Sequence, residues 1–303
     1  MFFQRDPSVM RLAVLCLGAT IVLTACSTIT IGEDEVFYPK PSVTPATFDL
    51  EGVTLEDRFL DVSDSVTVNT WHLSQEAPRA TVLFFGGNGF YLVQSRAYIR
   101  SLTRPRVNVL LWDYRGYGRS EGDPGVEALR DDALAVYDHL VEERGVNRQH
   151  LILWGHSLGS FLATHVAAER PVGGVVLENP ATDAEDWVQH LIPWYVRLFL
   201  GVEVDPVLQK ENNVRRVSAL TVPLLVVAGT EDNVTDPEMA RTLYEAAGSE
   251  HKRLVEVEGG GHNGLHEAEN VRAAYEDLVQ RVGEGDSSSE GKTGRANGKE
   301  DAF

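Results

Sequence analysis

Between residues 80 and 282, short apolar runs alternate with longer segments of helical period, and this alternation constrains the fold most. The runs 80–85 (ATVLFF), 107–112 (VNVLLW), 151–154, 173–177, 222–228 and 252–257 have the length of strands. Most carry apolar residues at every position, the pattern of a strand buried on both faces. Helices are predicted over 125–144, 157–169, 237–247 and 266–282. In the first of these, Val126, Leu129, Ala133, Val136, Tyr137 and Leu140 fall on one stripe. Strands alternating with helices imply an α/β fold, a mainly parallel sheet with helices on both faces. In such sheets the ligand site lies at the carboxyl ends of the strands. The polar residues discussed below fall there.

The chain has 303 residues, enough for one large domain with a single core. Its formal net charge of −18 repels phosphate backbones and argues against nucleic acid as a partner. The two cysteines, Cys16 and Cys26, both precede the domain. The domain therefore has no disulfide, no thiolate nucleophile and no cysteine-based zinc site of its own.

The run 151–154 leads into Gly155-His156-Ser157-Leu158-Gly159 and then into an apolar helical segment. This is G-x-S-x-G between a strand and a helix. The sharp turn lifts Ser157 above the sheet at the positive end of the helix, with the Leu158 N–H facing a developing oxyanion. A serine needs a base to accept its proton. Gly259-Gly260-Gly261-His262 follows the last strand, and its glycines allow a tight loop to bring His262 over Ser157. His266 lies four residues further on, but neither HExxH nor a third ligand supports a metal, and no cofactor is expected.

These motifs resemble the α/β-hydrolase superfamily over most of residues 50–282. The run Asp113–Gly122 (DYRGYGRSEG) resembles the loop after the fourth strand in the serine-aminopeptidase and membrane-associated esterase branch. The resemblance implies a structural loop there, with Arg115 bracing the active-site loops. It also implies the order Ser, acid, His. Asp232, in Gly229-Thr230-Glu231-Asp232-Asn233, matches the acid, with Glu231 and Asp236 as bystanders. The second oxyanion donor matches the Asn88 backbone N–H in Gly86-Gly87-Asn88-Gly89. Gly86 stands where related hydrolases usually carry histidine, so a more flexible loop is expected.

Arg5 and Arg11 precede an apolar run from Leu12 to Leu23, shorter than the about 20 residues of a spanning helix. It suits a signal peptide. Leu23-Thr24-Ala25-Cys26 resembles the lipobox of bacterial lipoproteins. That resemblance implies a signal peptide over 1–25 and an acylated Cys26. With Ser27 following, it also implies an outer-membrane anchor facing the periplasm. Residues 26–47, with Pro39, Pro41 and Pro45, read as a tether, 48–282 as the hydrolase domain, and the polar stretch 283–303 as a disordered tail. The sheet pattern breaks over about 180–219. Trp187, Leu191, Ile192, Trp194, Tyr195, Leu198 and Phe199 there read as a small helical cap.

The resulting expectation is a serine hydrolase acting on an acyl ester, thioester or lipid-like substrate at an envelope membrane. Two other readings fit the same residues. One is a serine aminopeptidase-type peptidase, which needs an acidic cluster to hold a substrate amine. The other is a non-catalytic binding lipoprotein on a hydrolase fold, which needs Ser157 turned away from His262.

Overall fold

The computed structural model describes residues 27–39, 50–63, 65–192, 196 and 200–284. Ten strands are described: β1 (Ser27–Ile31), β2 (Thr54–Ser63), β3 (Val66–Ser74), β4 (Thr81–Phe85), β5 (Asn108–Trp112), β6 (Leu151–His156), β7 (Gly174–Glu178), β8 (Leu200–Val204), β9 (Leu224–Gly229) and β10 (Lys252–Val257). Eight helices accompany them: the single turn α1 (Glu33–Val36), then α2 (Arg96–Thr103), α3 (Val126–Asp138), α4 (Gly159–Glu169), α5 (Ala184–Leu191), α6 (Asn213–Ser218), α7 (Pro237–Ala246) and α8 (Glu269–Glu284).

Eight strands form one sheet in the order β10-β9-β7-β6-β4-β5-β3-β2. From β10 to β5 every pairing is parallel, and β3 and β2 complete the sheet antiparallel. Successive side chains point to opposite faces of a strand, and the core divides accordingly. Leu83, Phe85, Leu153, Val175 and Val226 face one cluster, with α3, α4 and α7 packed on it. Val82, Phe84, Ile152, Val176 and Val227 face the other, covered by α2 and α8. This two-sided burial explains why the central strands read as unbroken apolar runs.

The hairpin β2–β3 is absent from the sequence reading. Its first strand, TLEDRFLDVS, is largely exposed and interleaved with charges, so it lacks the apolar run that marks the other strands.

Two expectations need correction. The segment read as a tether over 26–47 is part of the fold where it is described. β1 pairs in parallel with β8, and Val36 and Phe37 are buried. Its few apolar side chains find a groove on the domain, and its backbone finds a free strand edge. The cap over 180–219 is mixed rather than helical. It holds α5, β8 and α6, because β8 supplies the edge that β1 occupies. Trp194, Tyr195, Leu198 and Phe199 lie outside the described residues, as do the signal segment 1–25, Cys26 and the tail beyond Glu284.

Candidate active site

Ser157 follows β6 and precedes α4 with φ of 52°, a left-handed backbone that a side-chain-bearing residue rarely adopts. The turn is held by the Ser157 N–H donating to the Glu178 carbonyl at 2.9 Å. The flanking glycines are sterically required. A Cβ on Gly155 would lie 2.5 Å from the Gly159 carbonyl oxygen, and one on Gly159 would overlap the Phe85 carbonyl. The strain therefore sits on the one residue whose hydroxyl is presented.

His262 Nε2 lies 2.9 Å from Ser157 Oγ, and His262 Nδ1 lies 2.7 Å from Asp232 Oδ2. A carboxylate only accepts, so Nδ1 carries the proton and Nε2 is free to accept from the serine. The loop after β9 shapes the Asp232 site. Asp232 Oδ1 accepts the backbone N–H groups of Val234 at 2.7 Å and Thr235 at 3.1 Å. Burial alone would raise the Asp232 carboxyl. The hydrogen bonds from His262, Val234 and Thr235 outweigh it and hold the group below the ordinary carboxylate value. The Thr235 hydroxyl is 2.8 Å from Asp232 Oδ2 and 3.1 Å from the Asn179 carbonyl; its single proton serves one at a time. Asp236 caps α7 by accepting the Glu238 N–H.

The sequence reading missed the groups that hold His262 from behind. Asn179, at φ 46°, donates from Nδ2 to the His262 carbonyl at 2.9 Å and accepts the Gly229 N–H at 2.9 Å. His156 donates from Nε2 to the same carbonyl at 3.0 Å. Burial, chiefly, lowers His156, so it stays neutral. The carboxyl end of β7 thus supports both the serine turn and the histidine loop. The signal was the polar pair Glu178-Asn179 closing an apolar strand on the ligand side of the sheet.

Beneath Ser157, His262 and Asp232 lies a buried cluster. Glu178 is fully enclosed, accepts Trp154 Nε1–H at 3.0 Å, and lies 3.7 Å from His266 Nδ1. Burial works against its charge, yet the facing His266, His156 and Trp154 keep it below the ordinary carboxylate value. The His266 ring stacks on Tyr98 at 3.8 Å between centroids.

The side of Ser157 where an oxyanion site is expected is built by β4 and its loop. A Cβ on Gly87 would sit 2.7 Å from His156 Nδ1 and 3.2 Å from Ser157 Cβ, so only glycine fits beside the serine. Among the described residues, neither the Leu158 nor the Asn88 backbone N–H has a hydrogen-bond partner. Both remain able to donate to a ligand oxygen. In the loop without its histidine, other side chains supply hydrogen bonds. The Tyr114 hydroxyl donates to the Gly86 carbonyl at 2.7 Å, and the Tyr117 hydroxyl to Asn88 Oδ1 at 2.8 Å. Arg115 does not brace the active-site loops. It forms a two-pronged pair with Asp132 of α3, because that buried carboxylate demands a cation.

A small cavity over the serine is lined by Ser157, Leu158, Phe161, Ala181, Trp187 and Thr235. It borders a larger apolar groove between the N-terminal segment and helices α3, α4 and α5.

Comparison with known proteins agrees with this architecture. The family profile described as "Serine aminopeptidase, S33" matches residues 76–213 and 207–269. The chain is 28% identical over 265 residues to an uncharacterized membrane protein of Saccharomyces cerevisiae, 84% of this chain and 91% of that one. It is also 28% identical over 234 residues to the alpha/beta hydrolase domain-containing protein WAV2 of Arabidopsis thaliana, 73% of this chain and 74% of that one. Among solved structures it resembles the Pyrococcus furiosus esterase Pf2001. The TM-score is 0.63 at 17% identity, covering 80% of this chain and 99% of that one. It also resembles acetyl xylan esterase 1 from Thermoanaerobacterium, with a TM-score of 0.58 at 16% identity, covering 80% and 88%.

Proposed function

The chain belongs to the serine aminopeptidase S33 family of α/β-hydrolases, and on that premise we propose that it cleaves carboxylic ester or thioester bonds of acyl substrates through an acyl-enzyme on Ser157. The observation that carries this reading is the unbroken hydrogen-bonded chain Ser157–His262–Asp232. Ser157 Oγ attacks the carbonyl carbon as His262 Nε2 takes its proton, and Asp232 stabilises the imidazolium. The negative charge on the carbonyl oxygen is met by the Leu158 and Asn88 N–H groups. Collapse expels the alcohol or thiol, which leaves with the proton from His262. Water then gives its proton to His262, attacks the acyl carbon, and releases the acid and the serine.

The family's aminopeptidase description favours a second reading, a peptidase. That chemistry needs a carboxylate to hold the substrate amine. Among the described residues, the lining of the cavity over Ser157 carries none, and Glu211 at the far groove is already paired with Arg130 and Arg216. This supports the acyl ester reading. We also propose that Cys26 carries the lipid anchor that holds the enzyme at a bacterial envelope membrane.

The test is labelling with a fluorophosphonate probe, wild type against Ser157→Ala, followed by turnover of p-nitrophenyl esters from acetate to palmitate. Labelling of wild type alone is expected. A folded wild-type protein that takes no label removes the hydrolase reading and leaves the binding-lipoprotein one.

A further inference from the structure

We infer that the strap formed by residues 32–38 is a specificity element of this site, with Phe37 and Val36 as one wall of the channel for the acyl chain, and that the Asn88 side chain latches this wall to the oxyanion loop. The inference rests on the esterase reading and deepens it.

Three observations carry it. The first is continuity. Leu158, Phe161 and Trp187 line both the small cavity over Ser157 and the larger groove, so the groove begins where an acyl carbonyl would sit. The second is chemistry. The accessible lining of the groove is apolar; its charged members, Arg130 and Glu211, pair with each other, and Glu211 also pairs with Arg216. A hydrocarbon chain is the occupant such a surface rewards, by about fourfold in affinity per buried methylene.

The third is attachment. Val36 and Phe37 close the groove although they lie more than a hundred residues before the serine, and they are 5% and 7% exposed. Asn88 Nδ2 donates to the Val36 carbonyl at 2.6 Å. The Tyr38 N–H donates to the Tyr117 hydroxyl at 3.0 Å, and that hydroxyl in turn donates to Asn88 Oδ1 at 2.8 Å. Upstream, the Glu33 carboxylate accepts the Val126 N–H at the start of α3, whose preceding residue, Gly125, has no side chain to cap it. One residue therefore faces two ways. The Asn88 backbone N–H is offered to the oxyanion, and its side chain holds the channel wall. Docking of the strap and placement of that N–H are mechanically coupled.

The experiment compares kcat/KM for p-nitrophenyl octanoate and acetate in full-length wild type, Phe37→Ala, Phe37→Leu and Asn88→Ala, with fluorophosphonate labelling and circular dichroism reporting an intact fold. The expected result is a drop of about tenfold or more in the octanoate-to-acetate ratio for Phe37→Ala. Phe37→Leu, which keeps most of the bulk and tolerates misfolding of the alanine variant, recovers most of the ratio. Asn88→Ala shifts the ratio in the same direction and also lowers kcat on acetate. A labelled, folded Phe37→Ala or Phe37→Leu series with the ratio unchanged within about twofold overturns the strap as a wall. A fall in kcat for Asn88→Ala without a shift in the ratio overturns the latch. Failure of wild type to take the probe defeats the esterase reading itself, and the acyl wall with it.

Discussion

At the scale of single residues, the site is a chain of hydrogen bonds in which each member fixes the proton of the next. Asp232 illustrates the cost and the return. Its burial opposes charge, and its hydrogen bonds from His262, Val234 and Thr235 more than offset that. A carboxyl held lower in the folded chain than in the unfolded one adds stability above its unfolded value. That contribution is lost as pH falls through the folded value. Asp232→Asn should therefore be less stable than wild type at neutral pH, and urea midpoints should converge as pH falls below the ordinary carboxylate range. A gap that stays constant with pH would remove this account. The same variant should lower kcat by on the order of a thousandfold or more, because an amide can present its N–H to Nδ1 and stabilise the wrong tautomer.

At the scale of elements, the turns and loops at the carboxyl end of the sheet are tied to helices by buried polar pairs. The run Asp113–Gly122 is the clearest case. Tyr114 and Tyr117 secure the oxyanion loop, while Arg115 reaches α3. Asp132 is fully buried, and burial raises its carboxyl despite the attraction of Arg115; Arg115 itself is raised by that partner. Both directions describe a pair whose anion suffers if its cation is removed. Arg115→Ala should cost about 3–5 kcal/mol in chemical denaturation, and Arg115→Met with Asp132→Leu should recover most of the loss. A single variant of wild-type stability would show that the pair is solvated in solution.

At the scale of the whole molecule, the segment that joins the proposed anchor to the domain is also the segment that walls the groove. β1 lies on β8 and α1 lies at the start of α3. Cys26→Ala, which changes a residue before this docked stretch, should move the protein from the membrane to the soluble fraction. Ester turnover per molecule in detergent should stay the same. Retention in the membrane fraction would argue for a different attachment. The central sheet was legible in the sequence, because a strand buried on both faces must be apolar at nearly every position. Glycine turns marked Ser157 and His262 in the sequence, and the resemblance to the α/β-hydrolases supplied Asp232 as the acid; the fold brings the three side chains into contact. Three features were decided only by tertiary structure: the β2–β3 hairpin, the brackets from Asn179 and His156 behind His262, and the docking of residues 27–38. The physical reason is shared. An exposed strand, a buried amide and a short strap with two apolar residues carry no periodic pattern of their own. Each gains its role from groups distant in the chain, which meet only when the sheet has closed over its two cores.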